Sequence, residues 1–207
     1  MQILEIAKTY KETPEFHVDV ASVVPTFPTE LAAAAGDADG PPAAKRARGE
    51  DGAANPRGVT SFPANGHVTK LMGIMKPHLN DFIECMEDLK IFMQLRVPPV
   101  ESNANWKVGI LEECLGEVSR SEDSAFSVLE AMTKYHVTRA KLVQKCLKYP
   151  AIGDYQASVS ELDEKEFLNL RMCMMDLRNM YFTLRDLLVK NEDKIRQPVS
   201  MNQTHGY

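Results

Sequence analysis

The stretch Phe167-Leu168-Asn169-Leu170-Arg171-Met172-Cys173-Met174-Met175-Asp176-Leu177-Arg178-Asn179-Met180-Tyr181-Phe182-Thr183-Leu184-Arg185-Asp186-Leu187-Leu188 decides the fold class. Phe167, Leu170, Met174, Leu177, Tyr181, Leu184 and Leu188 recur at steps of 3, 4, 3, 4, 3 and 4. A helix puts such residues on one stripe, whereas a strand, with its period of two, scatters them over both faces. The spacing predicts a helix that starts at Ser160. Ser160 with Asp163 reads as a carboxylate variant of the capping box, and Glu161, Glu164 and Glu166 complement the positive end of the dipole. It ends before Pro198, with Lys190, Lys194 and Arg196 near the negative end.

Working back from that helix, the only prolines after residue 66 are Pro77, Pro98, Pro99, Pro150 and Pro198, and the last four cut the chain into three long segments. Residues 68–97 carry Leu71, Met75, Leu79, Phe82, Met86, Leu89 and Met93 on one stripe, with Pro77 predicting a local kink or a broken first turn. Residues 106–148 carry Leu111, Leu115, Val118, Ala125, Leu129, Met132, Tyr135, Leu142 and Cys146 without a proline, a helix of roughly 65 Å. The polar run Ser119-Arg120-Ser121-Glu122-Asp123-Ser124 in its middle predicts a bend or fraying. Connectors at 98–105 and 149–158 are short enough for antiparallel neighbours, so the fold class is all-α, an up-down helix bundle. Off-stripe apolar residues such as Ile74, Phe92, Phe126 and Phe182 give the helices more than one apolar face. Those faces fit either an oligomer or wide burial inside one bundle.

Composition divides the chain into three parts: 1–29, a short helix and an extended segment; 30–66, a linker; and 67–207, the helical domain. The linker is crowded with Ala, Gly, Pro and Asp and holds few large apolar side chains, so it cannot repay its ordering entropy and reads as disordered. With 24 Lys and Arg against 29 Asp and Glu, the net charge of −5 provides no overall basic field for nucleic acid or an anionic membrane, and proteins are the expected partners. No apolar run approaches the roughly 20 residues of a membrane span, and no signal peptide is evident, so an intracellular soluble chain is expected. Cys85, Cys114, Cys146 and Cys173 form no C-x-x-C pair and read as reduced core residues.

Catalytic constellations are not evident. A di-iron bundle needs Glu-x-x-His pairs, and His17, His67, His78, His136 and His205 have no partner at ligand spacing, so no metal and no cofactor are expected. Phosphate loops, nucleophile elbows and dinucleotide turns are also missing from the sequence. The carboxylates of 161–166 read as a solvated helix start rather than an acid/base pair. Three features stand apart. Lys45, Arg46 and Arg48 form a basic cluster of the kind read by nuclear import grooves, or else plain solvated charge. Trp106 sits beside Asn103 and Asn105 at a helix mouth, where it can staple the helix start. The polar tail 199–207 ends in an aromatic residue, a form suited to capture in a partner's pocket.

Tyr149-Pro150-Ala151-Ile152-Gly153-Asp154-Tyr155, Glu161-Leu162-Asp163-Glu164-Lys165-Glu166-Phe167, Leu177-Arg178-Asn179 and Leu188-Val189-Lys190-Asn191 resemble the 11S proteasome activators over about residues 68–207. Tyr135-His136-Val137-Thr138-Arg139-Ala140-Lys141-Leu142-Val143, with the basic linker cluster, is most similar to the gamma-type nuclear form. The resemblance implies a non-enzymatic, ATP-independent activator. Its partners are the α-subunit ring of the proteasome core particle and further copies of itself in a homoheptamer, with no nucleic acid and no membrane. It implies a nuclear protein with the cytoplasm as a second location. Gly206 and Tyr207 match the docking C-terminus, and Glu101, Ser102, Asn103, Ala104, Asn105, Trp106, Lys107, Val108 and Gly109 match the activation loop. Lys141 and Lys145 fall on the channel-lining helix, and Lys45, Arg46 and Arg48 would direct import. Two departures stand out: Ala104-Asn105-Trp106-Lys107 replaces the family's Asn-Asn-Phe-Gly, and the first helix is a stub ending at Pro14 where relatives have a long one. Weakened gate opening and core left exposed on the other helices are then expected. The reading from another class is a coiled-coil adaptor or scaffold.

Overall fold

The computed structural model describes residues 2–25, 62–97 and 105–196, except the side chains of 2–4, 105 and 106. Within them the elements are α1 (Gln2–Glu12), 3-10 turns at Pro14–His17 and Val20–Val23, α2 (Gly66–Gln94), α3 (Asn105–Lys148), α4 (Gly153–Lys190) and a terminal turn α5 (Glu192–Arg196). No strand occurs among the described residues. The three long helices pack together as an up-down bundle, α1 lies on α4, and α5 packs against α3. Residues 26–61, which include most of the segment read as a disordered linker, lie outside the described residues.

The predicted stripe is the core. Phe167, Leu170, Met174 and Leu177 of α4 meet Leu71, Met75, Leu79 and Phe82 of α2 and Leu111, Val118, Ala125 and Met132 of α3. Phe82 and Tyr181 add an edge-to-face contact at 4.7 Å between ring centroids. The N-terminal segment completes one end of this core through Ile6, Phe16 and Val23, all buried.

Four local expectations change. Helix α2 runs unbroken through Pro77, because Asn65 Oδ1 accepts from the His67 and Val68 amides and fixes the start well upstream. Gly73, whose carbonyl loses its helical partner to Pro77, is exposed, so water can serve it. In α3 the polar run does not interrupt the helix: Ser121 and Glu122 are buried, and Glu122 pairs with Lys90 of α2. Helix α4 starts at Gly153 rather than Ser160, leaving only 149–152 as a connector. Asn65 and Pro63, within the segment assigned to the linker, hydrogen-bond to Asp163 and Arg139.

The last correction carries the most physics. Asp163 is not at a helix end but in the interior, 0% exposed. Its Oδ1 accepts from Tyr135 Oη at 2.8 Å and Arg139 Nε at 2.9 Å, and its Oδ2 accepts from Asn65 Nδ2 at 2.9 Å. Asn65 Nδ2 also donates to the Val23 carbonyl at 2.8 Å, and Arg139 Nη1 donates to the Pro63 carbonyl at 3.1 Å. One carboxylate thus ties α4 to α3, to the cap of α2 and to the N-terminal segment. Glu166, three residues on, is also buried, but its Oε1 has no hydrogen-bond partner, and burial pushes its carboxyl above the usual range.

Replacing Asp163 by alanine leaves Arg139 buried without its counter-charge. The variant should lose roughly 3–5 kcal/mol of stability in urea unfolding, the usual cost of breaking a buried pair. Glu166→Gln should act in the opposite direction. A raised folded-state pKa favours folding below the unfolded carboxyl value and ceases to do so as pH rises through the folded one, so at neutral pH the charged glutamate is a net cost. The variant should gain about 1 kcal/mol at pH 7.5, with the difference from the parent shrinking to nothing as the pH is lowered.

Candidate functional site

Antiparallel packing brings the C-terminal end of α2, the N-terminal end of α3 and the C-terminal end of α4 to one pole of the bundle, and α5 closes onto α3 there. The α2–α3 connector and the chain after Arg196 therefore leave from the same pole. Helix α2 ends through bonds from the Leu95 amide to the Ile91 carbonyl and from the Arg96 amide to the Met93 carbonyl, and Pro98 prevents continuation. Arg96 folds back, its guanidinium carbon 3.6 Å from the centroid of the Phe92 ring.

Of the predicted activation loop, 101–104 lie outside the described residues, and 105–109 form the first turns of α3 rather than a loop. Lys107 is 3% exposed, Val108 half-buried and Gly109 exposed. Burial, with Arg96 nearby, lowers the Lys107 ammonium below the usual lysine range. Lys107 is thus built into the packed first turn of α3. The tail with Gly206 and Tyr207 and the cluster Lys45, Arg46 and Arg48 lie outside the described residues.

At the same pole a groove of about 680 Å³ opens between α2, α4 and α5, lined by Cys85, Leu89, Phe92, Tyr181, Leu188 and Ile195 among others, with Asp88, Arg185, Glu192 and Arg196 as its charged members. Cys85 is half-buried, and burial with Asp88 nearby raises its thiol. Burial first of all also raises the thiols of Cys114, Cys146 and Cys173, which disfavours their thiolate forms.

Lys141 and Lys145 lie towards the other pole, both exposed on α3, with Lys145 Nζ 5.5 Å from the centroid of the Tyr155 ring. Among the described residues no cluster of metal-ligating side chains occurs, and no helix is long and apolar enough to cross a membrane. Sequence reasoning missed the Asp163, Tyr135, Arg139 and Asn65 network. The available signal was that Asp163 stands four residues before Phe167, on the core stripe itself.

Residues 61–205 match the family described as proteasome activator PA28, C-terminal. Proteasome activator complex subunit 3 of Homo sapiens is 40% identical over 139 residues, 67% of this chain and 55% of that protein, and the Gallus gallus protein of that name matches equally. A crystal structure of the 11S subunit of the Plasmodium falciparum proteasome, PA28, superposes with a TM-score of 0.64 at 39% identity, covering 68% of this chain and 59% of that one. The chain spans little more than half the length of these relatives. The match runs from the cap of α2 through the Asp163-centred bundle and into the tail, and by it the chain belongs to the PA28 proteasome activator family.

Proposed function

We propose that this chain is a non-enzymatic, ATP-independent activator that docks through its C-terminus on the α-subunit ring of the proteasome core particle and opens the gate to short peptides and unstructured polypeptides. The observation that carries the reading is the exit of connector and tail from one pole of a bundle that belongs to the PA28 family. A docking element and a gate-displacing element must both face the core particle, and this topology allows it. The Tyr207 carboxylate supplies docking: an anion gains most from a preformed cationic pocket, and several copies on one ring add through effective concentration. Asn105 and Trp106, with Glu101 to Ala104 before them and Lys107 beneath, supply the push on the gate.

The same reading makes the assembly a homoheptamer, with Lys141 and Lys145 facing its channel, and gives the nucleus, by way of Lys45, Arg46 and Arg48, and also the cytoplasm, as its locations. The activating unit is the helical part, and 30–66 carries the import signal. The second apolar stripe of α4, Leu168, Met172 and Phe182, is exposed and supports self-association. An adaptor or scaffold without proteasome activity is the alternative.

Native mass spectrometry should give a ring near seven times 23.2 kDa, and a monomer or dimer at micromolar concentration would favour the adaptor. Docking and gate opening should fail separately. Removing Tyr207 should abolish association with the core particle, whereas Asn105→Tyr should leave association intact and cut stimulated hydrolysis of a neutral fluorogenic peptide by about tenfold, roughly 1.4 kcal/mol. Equal loss of both on either change would refute the division.

A further inference from the structure

The pole opposite the connector and tail carries a surface that the proposed docking does not use. Here the α3–α4 hairpin exposes Leu147, Tyr149 and Ile152. From 139 to 158 the only acid is Asp154, against exposed Lys141, Lys145 and Lys148 and the buried, paired Arg139. A chain with net charge −5 thus concentrates positive charge at one tip. Beside the tip, between α3 and residues 62–65, lies a cavity of about 400 Å³ whose apolar lining includes Phe62, Ala140, Val143 and Leu147. Gln144 stands on its edge, and Lys141 and Lys148, three residues before and four after, flank that edge on the same helix face.

We infer that this tip captures acidic, unstructured polypeptide segments, an apolar side chain entering the cavity while neighbouring carboxylates meet Lys141, Lys145 and Lys148. Charge complementarity selects the occupant. Single-stranded nucleic acid would also answer a basic, aromatic surface, but it needs open ring faces for stacking. Tyr149 and Tyr155 stack on each other at 6.3 Å, and Lys148 and Lys145 lie 5.0 and 5.5 Å from their respective ring centroids, so the rings are already engaged. The inference rests on the proposed function only for its meaning: with the connector pole against the core particle, the lysine tip faces outward, where substrate arrives.

The test is fluorescence anisotropy on the full chain without core particle. The probes are a short fluorescein-labelled peptide of Glu and Asp around two leucines, the same peptide with lysines for the acids, and an oligouridylate of equal length. The acidic peptide should bind at least tenfold tighter than either other probe, and more weakly as salt is raised. Leu147→Gln with Lys148→Glu should weaken it about tenfold. Lys148→Ala alone, at an exposed position where folding is not at stake, should weaken it about threefold. Preference for the oligouridylate, equal binding of both peptides, indifference to Lys148→Ala or no capture at all, as when a second copy covers the surface, would overturn the inference. Stimulation of neutral-peptide hydrolysis by the unmodified chain is read separately. Its absence with capture intact overturns core-particle docking and leaves the surface standing, and its presence without capture does the reverse.

Discussion

The carboxylate of Asp163 is the constraint on which the rest of the structure depends. Taking a charge out of water is costly, and this one is retained because Arg139, Tyr135 and Asn65 supply donors to both of its oxygens. Tyr135 and Arg139 come from α3 and Asn65 from the cap of α2, so one carboxylate joins three helices. Apolar stripes fix which faces meet, but a stripe repeating every seven residues allows helices to slide by a heptad with little loss of burial. A single buried ion pair with directional bonds removes that freedom, since a slipped register would strand both Asp163 and Arg139. Glu166 marks the boundary of the device: one turn along the same helix, a second acid is buried with an unpartnered oxygen, a cost the fold bears without visible return.

Much of this was legible in the sequence because helical periodicity survives any context. The stripe from Phe167 to Leu188 and the three long segments are consequences of the 3.6-residue turn, and the structure has all three helices, the last of them shifted to Gly153–Lys190. What the sequence hid was the meaning of polar residues on the stripes. Leu111, Val118, Ala125, Met132 and Cys146 mark a seven-residue repeat in α3 whose missing member is Arg139. Asp163 extends the stripe of α4 backwards in the same way. Two opposite charges at core positions of neighbouring antiparallel helices point to a buried pair. Asp163, however, sits among Glu161, Glu164 and Glu166, and local charge favoured a solvated helix start. Tertiary pairing overrode local chemistry at Asp163, which lies inside a helix that starts at Gly153.

The candidate site was legible in a different sense. The motif residues identify the family, yet the feature that gives them a direction is topological: connector and tail share a pole only because α2, α3 and α4 alternate in sense. Lys107 is where sequence and structure inform each other best. Read against the resemblance alone, it is a departure that implies a loss. As a side chain 3% exposed at the foot of a 44-residue helix, it is part of the packed end of the bundle.

The bond from Asn65 to the Val23 carbonyl joins residues 42 positions apart. It is a clasp: the N-terminal segment, whose Ile6, Phe16 and Val23 fill one end of the core, is pinned to the residue that caps α2. Asn65 therefore serves two ends of the molecule at once: its Oδ1 starts α2, and its Nδ2 holds both the Val23 carbonyl and the Asp163 carboxylate, so no other residue type could fill the position without giving up one of the three.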